Sequence, residues 1–226
     1  MKKTVALTLL AALLLPAYLI PTIYEITEIE AIAPFVKNAL TKEPGPCAIV
    51  AFDIDNTILR GVNPAATDEW FGEKLKEYTA MGLSTDQAIA KILPEHIQAH
   101  RTTPVKAVDD DIETLIDALE HKNVHVIALT ARALDFVDIT VRQLRDLKID
   151  LTPRKPLNDS WQRCYELSGL PKMAYYIPGI ILACGNDKGM VFEHFLRQLR
   201  FRPHLIVFVD DTRIVPSQDR TFLLRQ

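Results

Sequence analysis

Cysteine is scarce in this chain, and a basic surface is missing. Cys47, Cys164 and Cys184 are the only cysteines in 226 residues. Their odd number and irregular spacing exclude a Cys-rich zinc site and leave room for at most one disulfide, with a free thiol beside it. No stripe of Lys and Arg interleaved with aromatics occurs, and the formal net charge is −3, so the electrostatic footprint of a nucleic-acid binder is absent. Nor is the acidic excess large enough to disfavour folding. A composition 48% hydrophobic and 24% charged is that of a globular chain able to bury a core. Internal repeats and low-complexity segments are lacking.

What the first residues hold is a targeting pattern. Lys2 and Lys3 precede TVALTLLAALLL, a run of signal-peptide length that falls short of the roughly 20 apolar residues of a bilayer span. Residues 1–22 therefore read as a signal peptide, or as an uncleaved signal anchor, because no A-x-A site follows and Pro16 and Pro21 bracket the end of the run. No cysteine follows it, which excludes a lipoprotein anchor. The expected location is exported, periplasmic or secreted, with inner-membrane attachment only if the segment is retained. Its removal takes the formal charge from −3 to −5.

Residues 23–226 read as one α/β domain. Over 27–40, Thr27 and Glu30 form a capping-box pattern, and Ile29, Ile32, Ala33, Val36 and Leu40 share a helical face. AIVAF, VHVIAL and LIVFV are apolar runs of buried-strand type, ending before Asp53, at Thr130 and before Asp210. Between the first two runs no strand is evident. TDEWFGEKLKEY, STDQAIAKILPEHIQAH and TPVKAVDDDIETLIDALEHK all read as helices, the first two forming a small cap inserted over about 62–102. Such a lid excludes water and selects substrates. YYIPGIILACG reads as a further strand, and Asp187 caps a helix beginning at Lys188.

The chemistry follows from residue type and position. Open α/β sheets bind ligands beyond the carboxyl ends of their strands, where Asp53, Thr130 and Asp210-Asp211 stand. Asp53 and Asp55 lie two residues apart, so an extended backbone directs both side chains the same way. One can attack a phosphoryl group while the other handles protons. Asp53, Asp55, Asp210 and Asp211 together concentrate negative charge that a divalent cation would offset, and hard oxygen ligands near phosphate favour Mg²⁺. Thr130, Lys188 and Asn56 are the expected phosphate-binding groups. Arg132, two residues past Thr130, either steadies a phosphate or faces solvent. His96 and His100 have i, i+4 spacing but lack the intervening Glu of a zinc protease, so they read as a packed or solvated pair. Asp109 to Asp111 sit early in a helix and read as compensation of its dipole. Arg60, Trp70 and Phe71 read as packing or surface residues that lie near the substrate side.

FDIDNT, ALT, the Lys of GNDKG, and FVDDT resemble, in order, the four motifs of the haloacid dehalogenase superfamily in its phosphatase branch. The resemblance covers about 48–60 and 123–211. It implies a three-layer, Rossmann-like, mostly parallel sheet with a helical cap after the first strand. It also implies Mg²⁺-dependent hydrolysis of a small phosphomonoester through an aspartyl-phosphate on Asp53, with Asp55 as general acid/base. A phosphotransferase would use the same residues, and an exported binding or effector protein would keep the fold with little turnover. The exported start with FDIDNTIL, DEWF, LTAR, GNDKG and VFVDD is also similar to an exported bacterial family of unknown function. After VDDTR the superfamily usually continues through a further helix, whereas IVPSQDRTFLLRQ contains Pro216. The expected consequence is a less covered site.

Overall fold

The computed structural model describes residues 31–34, 36–37, 48–122, 124–156, 158–203 and 205–211. The expected signal segment, Cys47, and the tail after Asp211 lie outside them. The described chain is α/β, with a mostly parallel central sheet. The three apolar runs form β1 (Ala48–Phe52), β4 (His125–Thr130) and β8 (Leu205–Val209). β1 is central among them, pairing in parallel with β4 on one side and β8 on the other. The full order is β5-β6-β7-β4-β1-β8, where β5 is Tyr165–Leu167, β6 is Ala174–Ile177 and β7 is Ile180–Leu182. β7 runs parallel to β4, and the β5-β6-β7 edge is antiparallel.

Both faces of the sheet are covered, which is why β1 and β4 read as continuous rather than alternating apolar runs. Ala48, Val50 and Phe52 face one core, with Ile112, Ile116 and Leu119 of helix α3 (Ile112–His121) and Leu144 of α4 (Val137–Asp146). Ile49 and Ala51 face the other, with Val191, Phe192 and Phe195 of α5 (Lys188–Gln198) and with Trp161. Of the expected first helix, residues 32–34, 36 and 37 are helical, and Ile32 and Val36 are buried in the first core. Ile29, Leu40 and the capping box lie outside the described residues.

The sequence reading missed two short strands between Asp55 and Thr130. β2 (Leu59–Gly61) and β3 (Val105–Ala107) pair antiparallel and form the stem of the insertion. Helices α1 (Asp68–Ala80) and α2 (Thr85–Thr102) run between them. The third expected helix accordingly begins only at Ile112, because Val105–Ala107 is claimed by its distant partner. A second correction concerns YYIPGIILACG, which is a hairpin of two strands. Pro178 and Gly179 turn the chain, Gly179 at φ +83°, where a residue with a side chain is strained. A Cβ there would also lie 2.0 Å from the carbonyl oxygen of Leu151.

Among the described residues, no helix is long and apolar enough to cross a membrane.

Candidate functional site

Asp53 follows β1 directly, its N–H donating to the Val209 carbonyl at 2.8 Å. This bond sets Asp53 beside Asp210, the residue that follows β8. Carboxylate oxygens of Asp53, Asp210 and Asp211 all lie within 4.8 Å of one another. Lys188, at the first turn of α5, bridges the group: its Nζ is 2.8 Å from Asp53 Oδ1 and 2.7 Å from Asp210 Oδ2. A lysine at a helix start is mildly opposed by the helix dipole, so the two carboxylates are what hold it there. Thr57, buried in the loop after β1, accepts the Asp211 N–H on its Oγ1 at 3.1 Å. That contact ties the acidic pair to the loop.

The electrostatics follow from this crowding. Burial, opposed by Lys188 and reinforced by Asp210, raises the Asp53 carboxyl to about 6. Burial also raises Asp211, with the adjacent Asp210 adding to it. Desolvation pulls the Lys188 ammonium down, but Asp53 and Asp210 outweigh it, and the net direction is up. Three carboxylates against one ammonium leave an excess of negative charge on hard oxygen donors. Those are the donors a divalent cation such as Mg²⁺ takes, so Asp53, Asp210 and Asp211 fit such an ion by their chemistry.

Asp55 is placed differently from the expectation. The chain bends at Ile54, whose carbonyl accepts the N–H groups of Ile58 and Leu59 at 3.0 Å, so 53–55 is not one extended segment. The Asp55 carboxylate lies outside the three-carboxylate group and is gripped by Arg132. Arg132 Nε donates to Oδ2 at 2.8 Å, and NH2 donates to Oδ1 at 2.7 Å. Burial pushes Asp55 up, but the Arg132 charge and hydrogen bonds outweigh it and hold the carboxyl below its ordinary value.

Arg132 neither faces solvent nor stands free for a phosphate. It is buried, and NH1 donates to Thr140 Oγ1 and Gln143 Oε1, each at 2.8 Å. Gln143 Nε2 in turn donates to the His100 carbonyl at 3.3 Å. His100 meets His96 edge-on at 4.4 Å between ring centroids, and His96 Nδ1 is 2.9 Å from the Ala65 carbonyl. A buried polar chain thus runs from Asp55 into the base of the helical insertion. Desolvation lowers His96 and takes His100 to about 3, with Arg132 adding to the latter, so both imidazoles are neutral packing groups. Trp70 stacks on His96 at 6.0 Å and Phe71 lies 5.1 Å from it.

Thr130 ends β4 almost fully buried, its Oγ1 accepting the Arg132 N–H at 3.2 Å. Asn56, at φ +57°, donates through Nδ2 to Glu69 Oε1 of α1 at 3.3 Å, so its amide is directed to the insertion. Arg60 is exposed on β2. Asp109 to Asp111 precede α3, Asp111 as its N-cap residue, and are not members of the three-carboxylate group. Cys164 and Cys184 are free thiols.

Sequence reasoning passed over Asp68. It is the first residue of α1, exposed, and without a hydrogen-bond or ion-pair partner among the described residues. Partial desolvation, then the charges of Asp55, Asp53 and Asp211, raise its carboxyl to about 7 against the pull of Arg132. The only sequence signal was the Thr67 cap, whose Oγ1 accepts the Trp70 N–H at 3.3 Å. It marks a helix start and carries no information on the charges that act there.

Fold and site together define an α/β protein with a cluster of carboxylates at the ends of its parallel strands. The chain belongs to the family described as "Protein of unknown function (DUF2608)", whose model matches residues 25–214. This corrects the haloacid dehalogenase assignment drawn from the motifs, since no model of that superfamily matches. The chain is similar to a "Putative outer membrane protein" of Chlamydia trachomatis serovar D, 24% identical over 162 residues, which are 72% of this chain and 59% of the relative. A protein of the same name in Chlamydia muridarum is 22% identical over 162 residues, 71% of this chain and 58% of that one. The chain thus spans rather less than two thirds of the length of these curated relatives. No solved structure matches.

Proposed function

We propose that this chain is a Mg²⁺-dependent hydrolase of small phosphomonoesters, working through an aspartyl-phosphate on Asp53. The observation that carries the reading is the Asp53 carboxylate itself. It stands at the end of a central strand, within 4.8 Å of Asp210 and Asp211 oxygens, and on the Lys188 ammonium. A carboxylate so placed is a nucleophile that splits a very slow hydrolysis into two easier steps. Asp53, Asp210 and Asp211 would hold the cation, which supplies positive charge that keeps Asp53 ionised and draws charge from a phosphoryl oxygen. Lys188 binds the phosphoryl oxygens and offsets the charge that grows on them, and the Thr130 hydroxyl orients the group. Fixed charge of this kind is the largest source of rate in phosphoryl transfer. Asp55, held in place by Arg132, serves as the general acid/base, and α1 with α2 limits access of water.

Export to the cell envelope belongs to the same proposal. Its support is the basic and apolar start of the chain and the names of the chlamydial relatives.

The test is phosphate release from a generic aryl phosphate by residues 23–226, with and without Mg²⁺. Release that needs Mg²⁺ and is lost in Asp53→Asn is expected, with a drop of at least about 10³-fold. A folded protein that releases nothing between pH 5 and 8, over a panel of esters, rejects the reading in favour of a binding role.

A further inference from the structure

We infer that Gln143, helped by Thr140, is a positioning residue of the proposed reaction: the two side chains pin the Arg132 guanidinium and so set where the Asp55 carboxyl stands for proton transfer. The inference rests on the phosphohydrolase reading above, in which Asp55 is the general acid/base.

The need for accurate placement is chemical. As an Asp53 oxygen bonds to phosphorus, the P–O ester bond breaks and its electron pair goes to the leaving oxygen. That oxygen takes the Asp55 proton if it departs as an alcohol. Water then bonds to phosphorus, the Asp53–phosphorus bond breaks, and the water proton returns to Asp55. Both transfers need hydrogen-bond reach, and a displacement of about 1 Å can cost about 10²-fold in rate. The turn after β1 fixes the Asp55 backbone, with the Asn56 N–H donating to the Leu59 carbonyl at 2.8 Å. It leaves the two side-chain torsions of Asp55 free.

Arg132 removes that freedom, and α4 in turn holds Arg132. Nε and NH2 each donate to one Asp55 oxygen, at 2.8 and 2.7 Å. A guanidinium is planar with its donors in a fixed fork, so its orientation dictates the plane of the carboxylate. NH1 is the far end of that fork, and it donates to Thr140 Oγ1 and Gln143 Oε1, each at 2.8 Å. Both of these side chains are fully buried on α4. Gln143 is itself oriented, because its Nε2 donates to the His100 carbonyl at 3.3 Å, which leaves Oε1 as the end that meets Arg132. Arg142 NH2 donates to the same carbonyl at 2.9 Å, so α4 grips that reference point twice.

The arrangement is one-sided, as positioning requires. The Asp55 side chain is 17% exposed and that of Arg132 4%, so the guanidinium holds the carboxylate from its buried side. A carboxylate has about four lone-pair sites, and the two Arg132 bonds leave the others for the reacting oxygens. An arginine that bound the substrate phosphate would present NH1 to the opening, whereas here NH1 is turned into α4.

The experiment measures first-turnover alcohol release by rapid quench across a series of phosphomonoesters. The series runs from p-nitrophenyl phosphate, whose leaving group needs no proton, to an alkyl phosphate, whose leaving group does. Gln143→Met is expected to slow the alkyl ester about 10–10²-fold and the p-nitrophenyl ester less than about threefold. The rate should therefore fall more steeply with leaving-group pKa than in wild type. Gln143→Glu, which keeps an acceptor for NH1, should recover part of the loss. KM and orthovanadate affinity by calorimetry should match wild type, since no phosphate-binding group is altered. Thr140→Val should show the same leaving-group pattern and Thr140→Ser should reverse it, which keeps the test open where Gln143→Met does not fold. Losses equal across the ester series overturn the inference, and so do unchanged alkyl rates in folded Gln143→Met or Thr140→Val. If wild type turns over no ester, the parent reading fails and this one falls with it.

Discussion

Asp53, the nucleophile of the proposed reaction, stands where its charge costs stability. Its folded pKa, raised to about 6 from 3.8, means the folded chain binds that proton more tightly than the unfolded chain. Stability from this group is present below about pH 4 and is lost as pH rises towards 6. At neutral pH the ion-free carboxylate is a net cost. Asp53→Asn should therefore raise stability at pH 7.5 without divalent ions by about 1–2 kcal/mol and leave it unchanged near pH 4. Urea titrations at the two pH values, in EDTA, measure this. The place of Asp53 at a strand end was legible because it follows an apolar run, as were those of Asp210 and Thr130. The partner of Asp55 was not, since Arg132 lies 77 residues away and nothing local marks the pair.

At the scale of elements, the anchoring of the insertion decides how the site is held. Arg142 NH2 donates to the His100 carbonyl at 2.9 Å, beside the Gln143 contact, so the last turn of α2 is bonded to α4. The polar chain from Asp55 through Arg132 to Gln143 is buried, and a buried network left half satisfied is worse than none. Arg132→Met should cost about 3–5 kcal/mol, because Asp55 then keeps a charge with no counterion. Adding Asp55→Asn to it should recover much of that loss, as read from chemical unfolding. The stem strands β2 and β3 escaped the sequence reading because three residues carry too little periodicity to signal a strand, and their pairing is non-local. The β6–β7 hairpin was concealed in one apolar run, and only Pro178-Gly179 marked the turn.

Across the whole molecule, the sheet is sealed on both faces, and strand identity was therefore easier to read than strand order. Continuous apolar runs announced β1 and β4 as buried, and β8, read the same way, is buried only at Leu205 and Val207. That β8 pairs with β1 on the side opposite β4 depends on which connection crosses which face, and no single segment encodes it. That arrangement fixes when, during folding, the site can exist. Thr57 and Asp211, joined by a hydrogen bond, are 154 residues apart in the chain, and among the described residues β8 has β1 as its only strand partner in the sheet. Closing so long a loop is slow and is rewarded late. The carboxylates of Asp210 and Asp211 should therefore join Asp53 after the rate-limiting barrier, and an ion held there will act on one limb of the kinetics alone. In stopped-flow experiments, saturating Mg²⁺ should slow unfolding about tenfold or more and leave the refolding rate within about twofold. An ion held by this site would act as a latch on the finished protein and take no part in assembling it.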